Sequence, residues 1–255
     1  MHNLSLLEIG IMGFLAQIVD GTLGMGYGVT SSALLISLLG VPPVIASASV
    51  HTSELATTLV SGASHFKFGN IRKDLLLPLI SFGIIGGIIG ACGLVKLPAK
   101  PIKLVVGLIL LSMGVIILYR FMFRHKKTNN SEIKSYPVNR LRALGFFAAF
   151  IDALGGGGWG PICTPSLVTT GTEPNKAVGS VDLAEFFITI AITSTFLLLI
   201  GSGKFRWDLV LALMIGGVIA APLAAFTCKK LPKRLLGVLI GVMVIILSLQ
   251  MILRR

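Results

Sequence analysis

Charge is what this chain has least of. Only 13% of its 255 residues are Asp, Glu, Lys or Arg, and ten are acidic. A soluble domain carries about 25% charged residues, so an ordinary water-facing surface is excluded. Cysteine is also scarce. Cys92, Cys163 and Cys228 include no pair at CxxC spacing, which argues against a zinc site and a local disulfide. Small, buried apolar packing is their expected role. Basic residues interleaved with aromatics are missing, so the net charge of +12 does not point to nucleic acid. No nucleophile–base set stands out, so neither an enzyme nor a cofactor is expected. The N-terminal stretch MHNLSLLEIGIMGFLAQ lacks a positive n-region and a small-residue cleavage site. It is expected to be a retained first membrane segment rather than a signal peptide.

What the chain has is apolar length. Hydrophobic residues make up 54% of it, and runs at 75–95, 101–119, 186–201, 209–228 and 235–253 approach the roughly 20 residues that cross a bilayer. The basic residues sit between such runs, in FKFGNIRKD, KLPAKPIK, RHKK and CKKLPKR, where they fix orientation. The expected fold is an all-α polytopic membrane protein of about eight transmembrane spans in the cell inner membrane.

The chain also repeats itself. Asp20 matches Asp152 at an offset of 132, which lays Gly24, Gly26 and Gly28 over Gly156, Gly158 and Gly160, and Tyr27 over Trp159. At an offset of 131, Ser49 and Glu54 fall on Ser180 and Glu185. At 134, GNIRKDL lies over GKFRWDL. Two homologous membrane repeats are therefore expected, 1–123 and 140–255, joined by a basic cytoplasmic linker, 124–139. In the first repeat the apolar segments are 4–19, 27–39, 43–66, 75–95 and 101–119. The second is too short to span, and a Gly-rich break precedes it in both repeats: VDGTLGMGYG and IDALGGGGWG. Short, Gly-interrupted segments at matching places in a repeat are the best sequence pointer to a transporter's binding site.

Irregular backbone at membrane depth survives only where protein or a water-filled cavity satisfies it. Glycine leaves N–H groups unshielded, and a half-helix starting at Tyr27 or Trp159 would aim its positive end at the same spot. Such a place suits a small anion. No lysine or arginine lies deep in an apolar segment, so the expected binding residues are Gly24, Gly26, Gly28, Thr30, Ser31, Ser49, Gly156, Gly157, Gly158, Trp159, Gly160, Thr164 and Ser180. Carboxylates inside a bilayer are functional hypotheses by default. Asp20, His51, Glu54, Asp152, Asp182 and Glu185 are the expected coupling residues. His51–Glu54 and Asp182–Glu185 are each three apart on one helix face, and Asp182–Glu185 is favoured as a proton carrier.

The Gly-rich stretches, the LGVPPVIASASV pattern and the GN/GK-basic-Asp turns make the chain resemble the sulfite exporter TauE/SafE family of permeases, over nearly its whole length. That resemblance implies a small sulfur-containing anion, such as sulfite or a sulfonate, as substrate. The expected partners are that anion, membrane lipids and, in an oligomer, a second copy as a homodimer. Two rival readings stay open. A divalent-cation transporter would use His51, Glu54, Asp182 and Glu185 as ligands. A membrane thiol relay would use Cys163 between Pro161 and Pro165. Topology is open too: parallel repeats place the C-terminus in the cytoplasm, inverted repeats outside.

Overall fold

The computed structural model describes residues 5–123, 136–228 and 233–253. Among these, the secondary structure is helical, without a strand: α1 Leu6–Leu23, α2 Tyr27–Ser37, α3 Pro43–Lys67, α4 Lys73–Lys96, α5 Ala99–Phe123, α6 Val138–Gly155, α7 Trp159–Thr169, α8 Pro174–Ile200, α9 Trp207–Thr227 and α10 Lys233–Leu253. Most of the expected linker lies outside the described residues, and α6 already begins at Val138.

Local chemistry sets the boundaries. A capping box opens α1: Glu8 N–H donates to Ser5 Oγ, while the Glu8 carboxylate accepts from Ser5 N–H at 2.7 Å. Gly24 closes α1 in the left-handed region at φ 67°, and Gly156 closes α6 at φ 69°. Pro43 and Pro174 open α3 and α8 at their first positions, where a missing N–H is harmless. The two 11-residue helices, α2 and α7, rise only about 17 Å each. Both follow a break.

The molecule is apolar outside, and its largely apolar interior also buries many polar side chains. Leu77, Leu198, Ile215, Phe226 and Leu239 are among many exposed large apolar side chains. Ser47, Ser49, His51, Glu54, Thr57, Ser61, His65, Asp182, Glu185 and Thr189 are all buried. Apolar exposure on this scale fits a lipid-facing exterior. Five helices are long and apolar enough to cross a membrane, in α1, α4, α5, α8 and α9. The buried, Ser/Thr/His-rich α3 runs through the middle of the bundle with 25 residues.

Packing joins the first five helices to the last five. The main helix pairs are α1 with α9, α4 with α6, α5 with α10 and α3 with α8. Exchanging the two sets of five maps this list onto itself. Contact residues give the directions. Gly10 sits against Ala212 and Gly21 against Ala224, so α1 and α9 run parallel. Gly145 sits against Leu79 and Gly90 against Phe150, so α6 and α4 do too. Gly107 meets Ile252, Gly114 meets Ile245 and Gly241 meets Leu118, so α5 and α10 run antiparallel. His51 neighbours Phe196 while Gly62 neighbours Leu183, so α3 and α8 also run antiparallel.

Candidate functional site

The two breaks meet. At each, the aspartate one turn before the helix end reaches across the glycines to the next helix. Asp20 Oδ1 accepts from Tyr27 N–H at 3.3 Å, and Asp152 Oδ1 accepts from Trp159 N–H at 3.2 Å. A carboxylate thus occupies part of the positive end of each half-helix. The remaining first-turn donors, Gly28 and Val29 on α2 and Gly160 on α7, have no partner within their helices by geometry. Proline removes the N–H at Pro161.

Reciprocal contacts lock one break to the other. Thr164 Oγ1 on α7 donates to the Gly24 carbonyl at 2.7 Å, and Ser32 Oγ on α2 donates to the Gly156 carbonyl. Both accepting carbonyls belong to left-handed glycines. A methyl group on Gly157 would run into the backbone of Gly28 and Val29, and one on Gly160 into Gly24 and Met25. Gly28 faces Glu54, whose Oε1 would be 3.0 Å from an added methyl. Between the breaks lies a small cavity of about 10 Å³, room for about one water molecule. Its lining is Asp20, Gly26, Gly28, Val29, Asp152, Gly157, Gly158, Gly160, Pro161 and Glu185, with no lysine, arginine or histidine.

The two histidines pair with aspartates across the halves, while Asp182 and Glu185 stay together on α8. His51, expected beside Glu54, faces oxygen on both ring nitrogens: Asp152 Oδ2 at 3.1 Å and the Ser47 carbonyl at 2.8 Å. Asp182 Oδ2 accepts from Ser61 Oγ at 2.6 Å and lies 3.7 Å from His65 Nε2. His65 Nε2 also donates to the Gly21 carbonyl at 3.1 Å, and its Nδ1 lies 3.2 Å from Asn70 Nδ2. Asp20, Asp182 and Glu185 come together, with one oxygen from each inside a 4.8 Å span.

Of the expected binding residues, Gly26, Gly28, Gly157, Gly158 and Gly160 line the cavity. Gly24, Gly156 and Thr164 do not line it but tie the two breaks together, and Trp159 anchors α7 through Nε1–H to the Val181 carbonyl at 3.1 Å. Thr30, Ser31 and Ser49 are buried, with hydroxyls that no protein group satisfies. Ser180 stands apart: its Oγ accepts from Arg72 N–H at 2.8 Å, at the turn between α3 and α4. Sequence reasoning missed Ser32, His65, Gln17 and Arg120. The offset of 132 that links Gly24 to Gly156 also links Ser32 to Thr164 and was the available signal. Arg120 brings Nη1 to 4.0 Å from Met25 Sδ, so a guanidinium does approach the first break. Cys163 and Cys228 are buried, Cys92 is half-buried, and none of the three forms a disulfide among the described residues.

Residues 9–251 match the sulfite exporter TauE/SafE family. The chain is 44% identical over 246 residues to a probable membrane transporter protein, YtnM, of Bacillus subtilis, covering 95% of this chain and 81% of that one. It is 22% identical over 242 residues to a probable membrane transporter protein of Haemophilus influenzae, covering 94% and 92%. No solved structure matches. With its lipid-facing exterior and its match along nearly the whole length, this multi-pass helical membrane protein belongs to the sulfite exporter TauE/SafE family.

Proposed function

We propose that the protein is an inner-membrane permease for a small anion, with a sulfur-containing oxyanion or organosulfonate as its substrate class and with buried carboxylates coupling it to an ion gradient. The observation that carries this reading is the convergence of two glycine breaks, each opening a half-helix, on one cavity walled by both halves. Broken helices meeting between halves are how many transporters build a site. The free first-turn N–H groups of α2 and α7 supply donors to an anion, and Thr30, Ser31 and Ser49 are further buried hydroxyls without a hydrogen-bond partner. Carboxylates on the cavity wall repel an anion unless a cation or proton neutralises them. That requirement ties substrate binding to cation binding, which is coupling. Glu54 and Glu185 are the foremost coupling groups, one on each of the antiparallel helices α3 and α8.

On the same reading the two halves are inverted repeats, and the linker around 124–139 is cytoplasmic. The helix directions support this. A two-fold axis in the membrane plane makes equivalent helices antiparallel, as α5/α10 and α3/α8 are.

Uptake of sulfite, thiosulfate and small sulfonates into proteoliposomes, under imposed pH and sodium gradients, tests the reading. Gradient-driven accumulation of at least one of these anions is expected. Glu54→Gln and Glu185→Gln should still bind that anion but lose the accumulation. If no such anion is carried, the substrate class is wrong. If both variants accumulate normally, the carboxylates are structural.

A further inference from the structure

We propose that Asp20, Asp182 and Glu185 form a binding site for a hard, oxygen-seeking metal cation at the edge of the central cavity. The three side chains come from α1 and α8, and oxygens from all three fit within 4.8 Å. Oxygens around a cation such as Ca2+, held at about 2.3–2.6 Å, fall within such a span. Two features leave polar capacity unused at this spot. Asp182 Oδ1 is buried without any hydrogen-bond partner, although Oδ2 of the same carboxylate is held by Ser61. Gln17, one turn before Asp20 on α1, is 1% exposed, and neither its amide oxygen nor its amide nitrogen has a partner. Gln17 Nε2 and Ser61 Oγ flank Gly21 at the same distance, 3.6 Å from an added methyl there, which leaves the amide oxygen as the atom able to face a cation. Gln17 therefore reaches the neighbourhood of the Ser61–Asp182 contact. A buried amide with both ends unsatisfied is costly in a bilayer interior, and a metal ion or its water relieves it.

The groups facing the cluster favour a cation. His65 is the nearest basic group and already lies against the Gly21 carbonyl and Asn70. No ion pair within 4.0 Å reaches Asp20 or Glu185 among the described residues. The site also touches the substrate cavity, since Asp20 and Glu185 line both. A bound cation places positive charge on a wall that has no basic side chain, and so turns a repelling surface into an attracting one. This narrows the coupling role of Asp182 and Glu185 from carrying a proton to holding a metal ion. The consequence for anion transport rests on the proposed function, but cation binding itself does not.

The test uses the purified full-length chain in detergent, with no transported anion. Its melting temperature is followed against NaCl, MgCl2 and CaCl2 at ionic strength held constant with choline chloride. A saturable rise with at least one of the three metals is expected. Asp182→Asn and Glu185→Gln should each weaken its midpoint by about tenfold or more, a coupling of ordinary size. Gln17→Leu keeps every carboxylate and serves if Asp182→Asn does not fold; it should weaken the same midpoint. The proposal is overturned if none of the metals gives a saturable rise, or if the rise is unchanged in the variants that fold. A metal-dependent rise without sulfite, thiosulfate or sulfonate uptake would retain this site while removing the anion reading.

Discussion

Gly157 and Gly203 differ by what surrounds them. A Cβ on Gly157 would strike the Gly28–Val29 backbone of the opposite half, whereas one on Gly203 meets nothing within 4 Å. Backbone cannot rotate away as a side chain tip can. Gly157→Ala should therefore push the halves apart and destabilise by about 1–3 kcal/mol or more, as overpacking does. Gly203→Ala should stay within about 0.5 kcal/mol. Detergent-denaturation midpoints of the two purified variants decide it; equal midpoints would show that the breaks are not in contact. The comparison also limits what a transport defect at Gly157 means, because lost packing and lost substrate donors would arise together.

Among the elements, the short helices were legible and their partners were not. The sequence starts half-helices near Tyr27 and Trp159, and α2 and α7 begin at those residues. Glycine runs followed by aromatics are local signals, so they survive reading one residue after another. The pairing of His51 is not local. Its i, i+3 neighbour Glu54 was the visible candidate, yet the ring turns to Asp152, on a helix 101 positions away. The expectation that Ser180 lies in the site fails for a similar reason. A match by offset places a residue on the same helix turn of its own half, but not at the same distance from the centre. The directions of the long helices were likewise open, because lysine and arginine placement suited two topologies. Contacts resolve the directions of α5 and α10 and give a direct check. In a cysteine-free background, Gly107→Cys with Ile252→Cys, and separately Gly114→Cys with Ile245→Cys, should both cross-link on oxidation. A parallel arrangement could not join both pairs, since the second residue falls as the first rises.

For the whole molecule, five helices alternating in direction in each set of five put Phe123 and Val138 on one face and Leu6 and Leu253 on the other. Lys67, Arg72, Lys73, Arg140, Arg142 and Arg234 lie toward the face of Phe123 and Val138, which under the proposed topology is the cytoplasmic one by the positive-inside rule. A C-terminal alkaline phosphatase fusion should be active and a C-terminal green fluorescent protein fusion dark, with the reverse for insertions at 124–135. A fluorescent C-terminal fusion would require parallel repeats instead.

The interlocking of the halves also bears on how the protein is made. Gly10 and Gly13 on α1 rest on the backbone of Gly216 and Leu213, and Gly86 and Gly90 on α4 rest on Phe146 and Phe150. These partner surfaces are synthesised last, N-terminal residues leaving the ribosome first at roughly 5–20 residues per second. For several seconds the newborn α1–α5 therefore stands in the membrane with bare glycine grooves, His51 and Glu54 unshielded and no second break to close against. A factor that shelters polar membrane segments during that interval should raise the yield of folded protein. Slowing translation between residues 123 and 138 would lengthen that interval and lower the yield of folded permease without changing a single amino acid.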